Sequence, residues 1–397
     1  MNSIFYCQNF ILADMKNSIE FIIFPIIVCV ILGSCQDSKK QKTHTPKTST
    51  IIFQNTIANS QHYIDKINYQ FIPLETTDSC LISSITDMAL DSSRIYLIDE
   101  KTHLVFVFSS SGSFISQVGN VGSGPSEYQY PVNLHIDKIK QELIVADANT
   151  PKLIYYDLNT LKYKREQRSE SYFTNCAWLS NGDIVLVSGG SYTTPKREKY
   201  YAQITDANLN RKLYVCPCTF DPQYRLAIGS VFYTFQNHVY LNLPFSPTIY
   251  QILSSGCQEA YTIRLNGFQI PDLNWLKANA EDNYFISLSH SDYVSAFHCR
   301  ETDRFLYLTF LVGGNKDYIA FYDKKDKVST ILSGYDFVKK TSLHGLSKVV
   351  TTYQDYFVAT ISSDALLEKG TIVPELSQLS QSLTSESNPI VCLFKFE

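Results

Sequence analysis

The strongest constraint on this chain is a repeat. The segment Arg94-Ile-Tyr-Leu-Ile-Asp99, followed by Val105-Phe-Val-Phe-Ser109, returns 48 residues later as Glu142-Leu-Ile-Val-Ala-Asp147, followed by Leu153-Ile-Tyr-Tyr-Asp157, with every apolar position aligned. In both copies a short apolar run ends on Asp, a turn follows and a second run returns, as two adjacent antiparallel strands would. A unit this small cannot cover both its faces, so it must stack on copies of itself. Weaker copies follow at about 55-residue spacing: Asn181–Ser188 before Tyr200–Ile204, His238–Asn242 before Thr248–Ile252, and Arg304–Phe310 before Tyr318–Asp323. Leu346–Thr351, Tyr356–Thr360 and Ile390–Phe396 make a sixth unit.

Six such units predict an all-β, six-bladed β-propeller of four-stranded antiparallel blades with short helical insertions. The strand Tyr69–Leu74 has no unit of its own and is expected to pair with the last blade, closing the ring and hiding its edges. Composition agrees: Tyr 27, Phe 24 and Trp 2 against Met 3 favour half-buried pleated surfaces. Two segments break the rhythm. Pro271–Ala280 reads as a short helix with Pro in its first turn, and Pro374–Leu383 as a second that puts Leu376, Leu379 and Leu383 on one face. A net charge of −4 lacks the basic face that nucleic acid requires.

At the N-terminus, Phe21–Gly33 is an apolar run of 13 residues, shorter than the ~20 needed to span a bilayer as a helix. It reads as the core of a signal peptide over residues 1–34, with Lys16 supplying the positive end and Met15 the expected true start. Leu32-Gly33-Ser34-Cys35 resembles the lipobox of bacterial lipoproteins, which implies acylation of Cys35. Two or more acyl chains anchor a protein stably where one does not. Residues 35–50, with Lys39, Lys40, Lys42 and Lys47, read as the lipidated cysteine and a flexible tether, and 51–397 as one propeller domain. Seven further cysteines, an odd number, exclude a complete intrachain disulfide framework, and Cys216-Pro-Cys218 reads as two apolar thiols in a strand.

The first two units resemble NHL repeats, and the whole chain is similar to the six-bladed β-propeller lipoproteins of Gram-negative bacteria. Asp99, His103, Val105 and Phe108 occupy the NHL positions in the first copy; Asp147, Lys152, Leu153, Tyr156 and Asp157 occupy them in the second. Leu104 stands where a basic residue belongs and Ser109 where Asp belongs. The stretch Gly119–Tyr128 matches the glycine-rich connection between such blades, and Asn388–Phe394 the closing strand of the lipoproteins. The resemblance implies a fold and a cell-envelope location, outer-membrane-anchored and facing the periplasm or the cell surface.

Chemistry is harder to find. Gly122-Ser-Gly-Pro-Ser-Glu-Tyr128 is neither a phosphate loop nor a dinucleotide fingerprint, lacking Gly-Lys-Ser/Thr and a third glycine. Ser123, Glu127, Tyr128 and the nearby Asp137 are the candidate binding residues. The histidines His135, His238, His298 and His344 have no shared strand position and no HExxH spacing. Related propellers act as calcium-dependent lactonases, so Asp87, Asp137, Asn175 and Asn237 are considered as channel-facing calcium ligands. No catalytic set converges and no cofactor is expected. The reading is a monomeric, lipid-anchored, non-catalytic scaffold binding a glycan, peptide or protein; the alternative is a metal-dependent hydrolase or lyase with its site in the central channel.

Overall fold

The structure, a computed structural model, describes residues 49–54, 62–220, 231–243, 245–279, 284–341, 343 and 349–397. The signal peptide, Met15, Cys35, the tether as far as residue 48 and His344 lie outside these residues.

Six blade sheets follow one another along the chain, and a two-stranded parallel pair, Asn120–Val121 with Glu127–Tyr128, lies between the first two. Blade one comprises Ile85–Leu90, Arg94–Asp99, Val105–Ser109 and Phe114–Val118. Blade two comprises Pro131–Asp137, Glu142–Asp147, Lys152–Asp157 and Tyr163–Arg168. Blades three, four and five run from Asn175 to Pro217, Phe232 to Leu265 and Val294 to Ser333. Blade six takes Val349–Tyr353, Tyr356–Ile361 and Ile390–Phe396 from the C-terminus and its fourth strand, Ile67–Pro73, from the N-terminus. All seven residues of that strand pair antiparallel with Ile390–Phe396, from Ile67 opposite Phe396 to Pro73 opposite Ile390. The first strand of every blade touches the first strands of both neighbours, so these six strands ring the axis and the fold is a closed six-bladed β-propeller.

The burial pattern follows from stacking. A blade in the ring is covered on both faces, so its second and third strands lose the alternation of a one-sided sheet: Glu142–Asp147 is buried at every position. Six apolar clusters fill the gaps between neighbouring blades. Between one and two, Tyr96, Val105 and Val107 meet Leu143, Val145 and Tyr156. Between five and six, Phe305, Tyr307 and Phe321 meet Phe357, Phe394 and Phe396. Each fully buried ring of this size stabilises the fold by roughly 1.5–3 kcal/mol relative to an exposed one. The surplus of Tyr and Phe therefore lies in the gaps between blades.

Three expectations are corrected. Blade four has five strands rather than four, because Ser49–Phe53 adds to its outer edge, parallel to Gly256–Leu265. Ser49 and Thr50 thus belong to the propeller and not to the tether. The bridge continues to blade five, where the Ser329 hydroxyl donates to the Ile52 carbonyl and accepts from the Gln54 N–H. Second, the helix expected from Pro271 spans only Leu273–Ala278: the Asp272 carboxylate accepts from the Trp275 N–H and caps it, leaving Pro271 outside. Third, helices at Tyr284–Ser289, Gly334–Thr341 and Ser363–Lys369 were not anticipated. The helix Pro374–Ser380 does carry Pro at its start, and Leu376, Leu379 and Leu383 pack on the cluster between blades five and six.

Candidate binding face

Strands within a blade alternate in direction, so each propeller face collects particular connections. One face receives the turns from first to second and from third to fourth strand, and these are all short, from two residues (254–255) to five (158–162). The other receives the turns from second to third strand and every crossing to the next blade. It therefore carries the glycine-rich crossing 119–130, the 266–293 crossing with its two helices, the helix Gly334–Thr341, and both helices inserted between Tyr356–Ile361 and Ile390–Phe396. Long connections on a rigid scaffold are where binding residues gather.

Asp99 and Asp147, the aspartates shared by the two clearest repeats, organise this face. Asp99 ends a second strand, and its carboxylate accepts from the backbone N–H groups of Ser83 and Ser84, where the chain enters blade one, and from the Thr102 N–H and hydroxyl. Asp147 accepts from the N–H groups of Gln129 and Tyr130 at the entrance to blade two and from the Thr150 hydroxyl. Burial acts to raise the Asp99 carboxyl, but the hydrogen bonds from Thr102 and Ser83 outweigh it and hold the group below the ordinary carboxylate range. Each aspartate fastens a crossing to its blade.

The glycine-rich crossing is built the same way. Glu127 folds back so that its carboxylate accepts from the Gly124 N–H at 2.7 Å, and a Cβ on Gly122 would meet that carboxylate at 2.1 Å. Gly119, at φ 66°, lies under Tyr128 and Tyr156. Tyr128 is fully buried; its hydroxyl accepts from the Val105 N–H at 3.0 Å and donates to the Val118 carbonyl at 2.7 Å, leaving no surface for a ligand. Ser123 is exposed, and its hydroxyl accepts from the Gln129 side chain. Asp137 belongs to the opposite face, where its carboxylate accepts from the Ile139 and Lys140 N–H groups and pairs with the Lys140 ammonium at 3.4 Å. The four candidate residues do not form one site.

Nor do the four residues considered for calcium. Asn237 sits in an exposed turn at φ 61° between the first two strands of blade four, and Asp137 is in its own turn. Asp87 and Asn175 are on innermost strands, and with Asn133 they hold the same register in blades one, two and three, opposite Ile98, Ala146 and Val187. Asp87 and Asn133 work between blades. The Asp87 carboxylate accepts from the Leu134 N–H at 2.8 Å, and the Asn133 carbonyl oxygen accepts from the Cys176 N–H at 2.9 Å, each a rung from one innermost strand to the next. On the first strand of blade five the buried Arg300 guanidinium donates to the carbonyls of Val350, in blade six, and Cys299. Burial pushes the Asp87 carboxyl up to about 6, against hydrogen bonds from Leu134 and Met88 and the attraction of Arg300. His135 stacks on Trp178 with ring centres 4.4 Å apart, and burial pushes its imidazole down to about 4, so it is neutral at pH 7. His238 is exposed at the start of a second strand, while His298 is on an innermost strand. Among the described residues, no three His, Cys, Asp or Glu side chains are placed to hold one metal ion.

A concave site that sequence reasoning missed lies on the crossing face between blades four and five. It is a groove of about 760 Å³, within the range of ligand sites, with Ile52, Phe268 and Tyr293 as apolar wall and Arg264, Gln269 and Asp292 as polar rim. The Gln269 carbonyl accepts from the Val294 N–H at 2.8 Å, and the Phe53 carbonyl from the Asn266 N–H at 2.8 Å, so backbone bonds hold both walls. Phe268 is wedged edge-on against Phe310 and Tyr318, and Trp275 backs Tyr293 at 5.0 Å. The groove needs the fifth strand of blade four for one wall, which is why the repeat pattern alone does not reveal it. No described helix is long and apolar enough to cross a membrane.

Comparison with known proteins agrees with this architecture. A Bacteroides fragilis protein provisionally described as exported superposes with a TM-score of 0.81 at 24% identity, covering 88% of this chain and all of its own. A Bacteroides vulgatus member of the DUF4221 family superposes at 0.52 with 11% identity, covering 85% of this chain and 99% of its own. No curated protein matches the chain significantly. The family model described as 6-bladed beta-propeller matches residues 38–360, and the chain belongs to that family, DUF5128.

Proposed function

We propose that this protein is an exported, lipid-anchored propeller that binds a partner without transforming it and presents its crossing face as the docking surface. The observation that carries this reading is the segregation of the two faces: one bears only short turns, whereas the other gathers all the inter-blade crossings and the groove beside Phe268 and Tyr293. Asp87, Asn133 and Arg300 on the innermost strands are engaged between blades, which directs recognition outward to that face. An apolar wall with an Arg264, Gln269 and Asp292 rim suits an extended segment, glycan or peptide, carrying both apolar surface and hydrogen-bonding groups. Export is supported by the apolar run Phe21–Gly33 and by the description of the Bacteroides fragilis relative; anchoring is supported by Leu32-Gly33-Ser34-Cys35. The protein acts as a monomer on the outer membrane, facing the periplasm or the cell surface.

The test uses glycan and peptide arrays probed with purified protein, with Tyr293→Ala plus Arg264→Glu as the groove variant and Asp137→Asn as the opposite-face control. Binding lost in the groove variant alone supports the reading. Hits unaffected by it, or turnover of an array ligand, overturn it. Anchoring is tested separately by palmitate labelling, which Cys35→Ala must abolish.

A further inference from the structure

We propose that Cys216 and Cys257 are a redox pair that closes into a disulfide joining the outer strands of blades three and four. The two residues stand on different blades: Cys216 in Arg211–Pro217 and Cys257 in Gly256–Leu265, the fourth strands of their sheets, which touch across the gap. Cys216 lies between the rungs Val215–Ala202 and Pro217–Tyr200 and takes a left-handed φ of 59°, uncommon for a residue with a Cβ. It is buried among Val239, Leu241 and Ile252 of blade four, and Cys257, half-buried, packs on that same cluster. The interaction between the two thiols draws the Cys257 thiol below its ordinary range while Cys216 keeps its proton. Cys257 is the more accessible of the two, so an external disulfide meets its sulfur first.

The other cysteines are placed differently. Cys80, Cys176, Cys299 and Cys392 are buried, and Cys218 is turned to the Phe220 carbonyl at 3.3 Å. The oxidant is an external disulfide. The Cys257 thiolate attacks one of its sulfurs, forming a mixed disulfide and expelling one thiolate. Cys216 then loses its proton and attacks the Cys257 sulfur, expelling the second thiolate. Two protein thiols become one disulfide, two electrons pass to the oxidant, and the two protons released complete two small-molecule thiols.

The experiment incubates the full chain with oxidised glutathione, blocks remaining thiols and maps peptides without reduction. A Cys216–Cys257 linked peptide, lighter than the reduced pair by two hydrogens and accounting for most of Cys257, is the expected product. In Cys216→Ser the mixed disulfide should persist on Cys257, and in Cys218→Ser the linked peptide should be unchanged. A Cys216–Cys218 linkage, or a wild type that retains glutathione on Cys257 as Cys216→Ser does, overturns the proposal. The wild-type map decides even where a serine variant fails to fold.

Discussion

Replacing Asp87 by Asn should make the propeller more stable at neutral pH, although it removes a buried hydrogen-bonded carboxylate. The folded-state pKa is about 6 against 3.8 for the free side chain. Below pH 3.8 the group is neutral in both states and costs nothing. Between 3.8 and 6 the unfolded chain sheds its proton while the folded chain keeps it, and above 6 the folded state carries the full penalty of a charge on the channel wall. At about 1.4 kcal/mol per pH unit, the gap amounts to about 3 kcal/mol above pH 7 and about 1 kcal/mol at pH 4.5. Asparagine removes that term and keeps the rung, because an amide oxygen can accept from the Leu134 N–H as the carboxylate does. Blades two and three already carry Asn133 and Asn175 at this register. The assay is urea unfolding of wild type and Asp87→Asn at pH 4.5 and 7.5. The stability advantage of the variant should grow about threefold between the two. An advantage independent of pH, or a variant less stable than wild type at pH 7.5, would refute the reasoning.

Four further outcomes are expected. Asn388→Ala removes a buried amide that accepts from the Ile82 N–H and donates to the carbonyls of Glu75 and Cys80; three such bonds at about 1 kcal/mol each predict a loss of about 3 kcal/mol in urea unfolding, against almost none for the exposed Asn68→Ala. Tyr128→Phe should cost about 1–3 kcal/mol by leaving the Val105 N–H unpaired, and should leave array binding intact. Because hydrogen bonds hold Asp99 below its unfolded value of 3.8, its contribution is present above that pH and lost as pH falls through the folded value; Asp99→Asn should lower the urea midpoint at pH 7 and blunt its fall between pH 4 and 2. Closing Cys216 to Cys257 encloses about 40 residues, worth about 4 kcal/mol, so the oxidised chain should melt about 5 °C higher in a thermal scan.

The ring was legible because its rule is local. Asp99 and Asp147, 48 residues apart, mark equivalent strand ends, and the orphan strand after residue 67 had only one open edge to join. What escaped is what depends on distant partners. Ser49–Phe53 follows a polar lysine run, and nothing nearby says that five residues would find an edge more than 200 positions away. The crossing 119–130 drew attention for its glycines, yet these serve the fold-back of Glu127 and the close approach of Tyr128. The recurrence of Asp87, Asn133 and Asn175 at nearly the repeat spacing was visible in the sequence, but a polar residue in a strand reads equally as a ligand or a brace until the neighbouring strand is in place. The groove joins Ile52 to residues 247–293, about 200 positions on, and has no local signature.

The N-terminal segment belts the outer edge of blades four, five and six, through Ser49–Phe53, the Ser329 hydroxyl and the strand Ile67–Pro73. It leaves the ribosome ahead of everything it will touch: its docking edges are made by residues 256–265, 328–333 and 390–396. The ring therefore stays open, with an unpaired strand waiting, until the last seven-residue strand has been synthesised. Such long-range closure is slow and exposes edges that can pair wrongly with other chains. Completion of the propeller thus waits for the strand Ile390–Phe396, and deleting that strand should be far more damaging to folding than its seven residues suggest.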